Sequence, residues 1–256
     1  MDFLSYLRAP FVTIFCLFHT LLMSVFIIAV ASMVKSRETV DWFIINAWCK
    51  PMLWLGGVKV SVRGADLVTG SKKGYLVLFN HSSHMDIPIL CAYFPRTFRF
   101  GAKIELFKIP FFGAVMKICG VLPIDRHNRN KVMEVYGQAV ARVENGESFA
   151  LAPEGTRQGQ PELGKFKRGP FEFAINARAH IVPVVLHGAF DVLPRSSVLL
   201  NVGRWTRHVQ MQITPPVATD GYTIETVLEL QEKVRAQMAA VFDQLKRDPT
   251  SLAKPS

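Results

Sequence analysis

Tyr75-Leu76-Val77-Leu78-Phe79-Asn80-His81-Ser82-Ser83-His84-Met85-Asp86-Ile87-Pro88-Ile89 is an apolar run, a polar turn and the start of a second apolar segment. The short, bounded run Tyr75 to Phe79 reads as a buried strand. Ile87 to Phe94 is predicted as a helix, with Pro88 in its first turn. A strand passing through a turn into a helix is the building unit of an α/β domain. His81 and Asp86 sit at the turn. Imidazole titrates near neutral pH, and a carboxylate on one ring nitrogen fixes its tautomer and stabilises the imidazolium, so the pair suits general-base work. On a regular helix five residues rotate by about 140°, which separates the side chains. The chain must therefore bend between them. Alone, such a pair is more often a satisfied structural histidine.

The flanking sequence repeats the alternation. Lys59 to Arg63 alternates at period two, as a half-exposed strand does, and Ser148 to Ala152 and His180 to Leu186 read as buried strands. Lys131 to Asn145 and Thr223 to Leu245 carry apolar residues at helical spacing. These elements predict an α/β fold with a mixed, largely parallel sheet flanked by helices. Pro183 falls inside an apparent strand and predicts an edge position or a bulge there. The polar stretch Asp248 to Ser256, with two prolines, reads as a disordered tail.

Half of the 256 residues are apolar, and 30 basic against 20 acidic residues give a net charge of +10. That balance favours anionic partners. With no zinc-finger spacing, RNP-like aromatic stretch or dense basic helix, nucleic acid is not expected as a partner, and anionic membrane lipid is. Phe11 to Val34 contains no Asp, Glu, Lys or Arg. At about 1.5 Å per residue it spans roughly 36 Å, enough to cross a hydrocarbon core of about 30 Å. It is longer than a signal-peptide core and reads as a retained transmembrane helix, about 11–34. Residues 40–56 hold Asp41, Lys50 and Pro51 among three tryptophans and suit an interfacial helix. The chain thus divides into an anchor (1–58), a catalytic domain (59–247) and a tail (248–256). A chain starting near Lys59 is expected to keep its fold. Lys35 and Arg37 after the span, against Arg8 before it, favour a catalytic domain on the cytosolic side of the inner membrane. Cys16, Cys49, Cys91 and Cys119 form no CxxC pair and read as buried, reduced thiols.

Four blocks recur in order near predicted strand ends: Asn80-His81 to Asp86, Gly120 to Arg126, Pro153-Glu154-Gly155-Thr156-Arg157 with Phe166 to Gly169, and Ile181 to Val184. Together they resemble the glycerolipid acyltransferase family, most closely its bacterial 1-acylglycerol-3-phosphate acyltransferases, over about residues 60–215. The resemblance implies transfer of a fatty acyl chain from acyl-CoA or acyl-carrier protein to lysophosphatidic acid, giving phosphatidic acid. Another lysolipid acceptor, such as a lyso-ornithine lipid, or non-catalytic lipid binding are the alternatives. By resemblance the glycerol phosphate binds at the Glu154-Gly155-Thr156-Arg157 block, and Pro183 lines the site.

The residue chemistry fits such a reaction. His81 serves as base and Asp86 orients it. Arg126 and Arg157 carry planar guanidinium forks suited to phosphate, and Lys103 adds a point charge. Any single arginine reads equally well as a solvated surface residue. No G-x-S-x-G nucleophile elbow is present, so direct attack by the acceptor hydroxyl fits better than an acyl-enzyme. His81, His84 and Asp86 lack the spacing of a hydrolase metal centre, and neither metal nor cofactor is expected.

Overall fold

The computed structural model describes residues 3–68 and 73–247; the expected tail at 248–256 lies outside them. The N-terminal segment forms α1 (Phe3–Met33), α2 (Arg37–Phe43), a π-helical stretch (Ile44–Cys49) and α3 (Lys50–Leu55). Then follow β1 (Val58–Arg63), β2 (Leu76–Phe79), α4 (Asp86–Tyr93), β3 (Arg99–Lys103) and α5 (Phe112–Ile118). The chain continues through β4 (Leu122–Ile124), α6 (Arg129–Glu144), β5 (Phe149–Leu151) and α7 (Gly169–Asn176). It closes with β6 (Ile181–His187), α8 (Ala189–Val192), β7 (Arg207–Ile213) and α9 (Val227–Arg247).

The seven strands form one sheet in the order β1-β7-β6-β2-β5-β3-β4. Every pairing is parallel except β6 with β7. Alternating side chains send β2 and β6 into two cores. Val77, Phe79, Val182, Val184 and Leu186 pack on α3 and α4. Leu76, Leu78, Ile181 and Val185 pack under α6, α7 and α9, where Tyr136 stacks on Phe173 with ring centroids 4.8 Å apart. Continuous burial of β2 is what a parallel strand covered on both faces requires.

Pro183 departs from half of its expectation. β6 is interior, bonded to β2 and β7, not an edge strand. The bulge, however, is there. Val184 pairs with Ile213 and Ile181 with Val217, so three steps along β6 face four along its partner. The slip lies opposite Pro183, where the missing N–H breaks no ladder bond.

α1 is long and apolar enough to cross a membrane. One stripe of it (Ser5, Ala9, Cys16, Ser24 and Ile27) is buried against the rest of the chain. Small residues let the helices approach closely. Thr13 and Thr20, two turns apart, accept bonds from Leu200 N (2.9 Å) and Trp48 Nε1 (3.0 Å). The opposite face, including Phe3, Leu7, Phe11, Ile14 and Phe18, is exposed. Met52 and Leu53 of α3 belong to the core beneath the sheet, so cutting at residue 58 opens that core. An ionic knot adds to this attachment. Both carboxylate oxygens of Asp41 in α2 pair with Arg99, whose Nε also bonds Glu147 at 2.9 Å.

Candidate active site

Parallel strands place their following turns at one end of the sheet. Leu78 of β2 is in register with Leu151 of β5, so His81 and Glu154, each three residues later, emerge side by side. Lys103 of β3 pairs with Ile124 of β4, two residues before Arg126. The first three sequence blocks thus reach the carboxyl ends of strands, the usual place for ligands in open α/β sheets, whereas the fourth, Ile181 to Val184, forms the first half of β6 itself.

The predicted bend between His81 and Asp86 is present, and Asp86 opens α4. His81 Nδ1 lies 2.8 Å from Asp86 Oδ2. The same oxygen accepts from the backbone N–H groups of Ser82 and Ser83, both at 2.8 Å. Asp86 is 0% exposed. Three donors on a fully buried carboxylate oxygen hold it in one orientation. With Nδ1–H donated to Asp86, Nε2 of His81 keeps its lone pair free to accept a proton. Ser83 Oγ accepts from Met85 N and donates to Leu193 O, so it is a turn residue, as expected. Asn80 exchanges two bonds with the backbone of Leu186, at 2.7 and 2.8 Å. Its amide continues the β2–β6 ladder by one rung and fixes the residue before His81.

The third block is locked to the first. Glu154 Oε2 accepts from His81 N at 2.8 Å, Oε1 accepts from Gly164 N at 3.0 Å, and Gln158 N donates to His81 O at 2.8 Å. Glu154 is 4% exposed, and burial pushes its carboxyl up to about 7, against the two N–H bonds that favour its charge. Both its oxygens are engaged by backbone, so Glu154 positions the loop that carries Gly155, Thr156 and Arg157. Gly155 has φ +74, and Lys167 lies where a Cβ would stand, 2.9 Å from Nζ. The positive φ is what favours glycine here, since the end of the Lys167 side chain can move aside. Thr156 is exposed.

Arg157 is half-buried, and Arg195 and Arg126 lie within electrostatic reach of it. Burial, then Arg195, lowers its pKa, and none of the three arginines has an ion pair among the described residues. Lys103 is paired with Glu105 at 3.2 Å, and Glu105 also faces Arg126. Lys103 is thus partly neutralised. His84 is exposed as a residue, yet desolvation of its ring and the charges of Arg157 and His81 push it down to about 4. It is neutral at pH 7. Among the described residues no three His, Cys, Asp or Glu side chains form a metal-binding group.

Three features escaped the sequence reading: the amide of Asn80, Lys167 over Gly155, and Arg195. Asn80 directly precedes His81, which was a usable signal. Arg195 lies 38 residues beyond Arg157, to whose carbonyl its guanidinium donates at 3.0 Å, and no pattern links the two.

The chain is similar to proteins of known activity. A 1-acyl-sn-glycerol-3-phosphate acyltransferase of Saccharomyces cerevisiae is 28% identical over 96% of this chain and 80% of its own length. The human 1-acyl-sn-glycerol-3-phosphate acyltransferase alpha is 29% identical over 84% of this chain and 75% of its own. The crystal structure of the 1-acyl-sn-glycerophosphate acyltransferase of Thermotoga maritima superposes with a TM-score of 0.78, covering 94% of this chain and 98% of that one, at 24% identity, and so shares the fold. The acyltransferase family model matches residues 59–187, a stretch holding His81, Asp86, Lys103, Arg126 and the Glu154 to Arg157 loop, and the chain belongs to that family.

Proposed function

We propose that the protein acylates the free hydroxyl of lysophosphatidic acid, 1-acylglycerol 3-phosphate, to give phosphatidic acid at the cytosolic face of the inner membrane. The donor is a thioester, acyl-CoA or acyl-carrier protein. One observation carries the reading: a base with a free Nε2, oriented by a buried aspartate, within electrostatic reach of the Arg157 guanidinium, which has no ion pair among the described residues. Relatives named for this reaction support it.

In this mechanism Nε2 of His81 removes the acceptor's hydroxyl proton as the oxygen attacks the thioester carbonyl. Asp86 stabilises the imidazolium. The tetrahedral intermediate collapses with cleavage of the C–S bond, and the departing thiolate takes the proton back from His81. Arg157, with Arg126, grips the acceptor's phosphate, and Lys103 adds longer-range attraction. Holding the phosphate fixes the distance from the hydroxyl to the base, which is where positioning gains rate. α1 and the helices after it keep this cleft at an anionic leaflet, where the lysolipid resides. The test is the purified protein supplied with each donor and lysophosphatidic acid, with product followed by mass. Phosphatidic acid formed by wild type and not by His81→Ala supports the assignment. Product formed equally by both refutes it.

A further inference from the structure

We propose that residues 195–206, between α8 and β7, form an additional membrane-contact element that reads an anionic bilayer surface. The proposal rests on the reading of α1 as membrane-embedded, and it concerns a segment outside the matched family region. From Pro194 to His208 the chain carries Arg195, Arg204 and Arg207 and no acidic residue. It is fastened to the anchor at several points. Leu200 N bonds Thr13 of α1. Arg8 of α1 donates to Trp205 O at 3.1 Å and to Leu55 O, and its guanidinium lies 5.0 Å from the Trp205 ring centre. Asn201 Nδ2 donates to Gly56 O at 2.9 Å.

Held this way, the segment exposes what a protein interior would hide. Val198 is 80% exposed and Trp205 46%, and Trp54, two residues before the Gly56 that Asn201 bonds, is 78% exposed. Single exposed apolar residues are ordinary. A segment that sets tryptophan, valine and arginine beside the anchor helix has the composition of a lipid headgroup interface. Arg195 and Arg204 have no ion pair among the described residues, and phosphate headgroups supply the missing anions. The other end of the segment reaches the site, where Arg195 donates to the carbonyl of Arg157. Contact with the bilayer here sets the phosphate-binding loop at headgroup depth, level with the phosphate of an incoming lysolipid.

The test uses the full chain with Val198→Cys carrying an environment-sensitive fluorophore, the unsubstituted protein giving the labelling background. Ser196→Cys serves if that variant fails to fold. Glu232→Cys on α9, in the opposite layer, is the control. Phosphatidylcholine vesicles with phosphatidylglycerol should blue-shift the probe at 198 and leave that at 232 unchanged. Arg204→Gln should weaken partitioning onto those vesicles about fivefold, the equivalent of about 1 kcal/mol per surface arginine, and leave partitioning onto pure phosphatidylcholine unaltered. A water-like probe at 198 on protein that is vesicle-bound overturns the proposal while sparing the anchor. A probe that answers to acyl-carrier protein and not to vesicles also overturns it. Failure of the wild type to bind vesicles removes the anchor reading as well.

Discussion

At the scale of single residues, the account assigns different kinetic consequences to neighbouring side chains. His81→Ala should lower turnover by about 10²–10⁴ with substrate binding nearly intact. Asp86→Asn should also be severe, because a buried amide cannot stabilise the imidazolium. Chelators should have no effect, and inhibition reversed by zinc would revive metal chemistry. Arg157→Ala should chiefly raise the acceptor's KM, by roughly 10- to 150-fold, since a charge-assisted hydrogen bond contributes about 1.5–3 kcal/mol. Lysine there should rescue only in part, for want of the bidentate fork. A loss confined to the donor's KM would move Arg157 to the thioester side. Glu154 acts on stability. Its folded pKa is raised from 4.5 to about 7, so its contribution is complete below its ordinary value and is lost as pH rises through about 7. Glu154→Gln leaves one N–H without an acceptor and should lower the melting temperature. The deficit should shrink between about pH 5 and about pH 8. A deficit constant with pH would show that Glu154 does not titrate there.

At the scale of elements, what could be read in advance depended on how far apart the partners lie. The β2 strand, the turn and α4 are local, and their apolar run, turn residues and proline are all in view in the sequence. The bend that joins His81 to Asp86 followed from helix geometry alone. β7 was missed although Val209, Met211 and Ile213 alternate with polar residues at period two, the same signal that identified Lys59 to Arg63; its partner β1 is far away in sequence. β3 was missed for a related reason. Arg99-Phe100-Gly101-Ala102-Lys103 pairs with β5 and β4, and the buried guanidinium at its head is accepted by Asp41 and Glu147 from distant elements. That ion group ties α2 to the sheet, and Asp41→Asn tests it. Removing one partner of a buried pair costs about 3–5 kcal/mol, and the remaining bond from Arg99 to Glu147 should hold the loss near the lower end. An unchanged melting temperature would show that the α2 attachment rests on apolar packing alone.

At the scale of the whole molecule, anchor and catalytic body share a core. Removing residues 1–58 strips Met52 and Leu53 from it, so the shortened chain should aggregate or melt far below the full chain, as calorimetry would report. A shortened chain with the parent's melting temperature and full activity on vesicles would show that the N-terminal segment is dispensable for both fold and substrate capture. On the proposed reading, an apolar face finds the bilayer, cations find the acceptor's phosphate, and a buried carboxylate prepares the base. The most direct measurement offers the full-length enzyme a panel of lysolipids of equal chain length, with and without a phosphomonoester, and follows product by mass. The account predicts fast acylation of 1-acylglycerol 3-phosphate and slow acylation of acceptors lacking that group, with Arg157→Ala erasing most of the difference. Equal turnover across the panel by the wild type would contradict it.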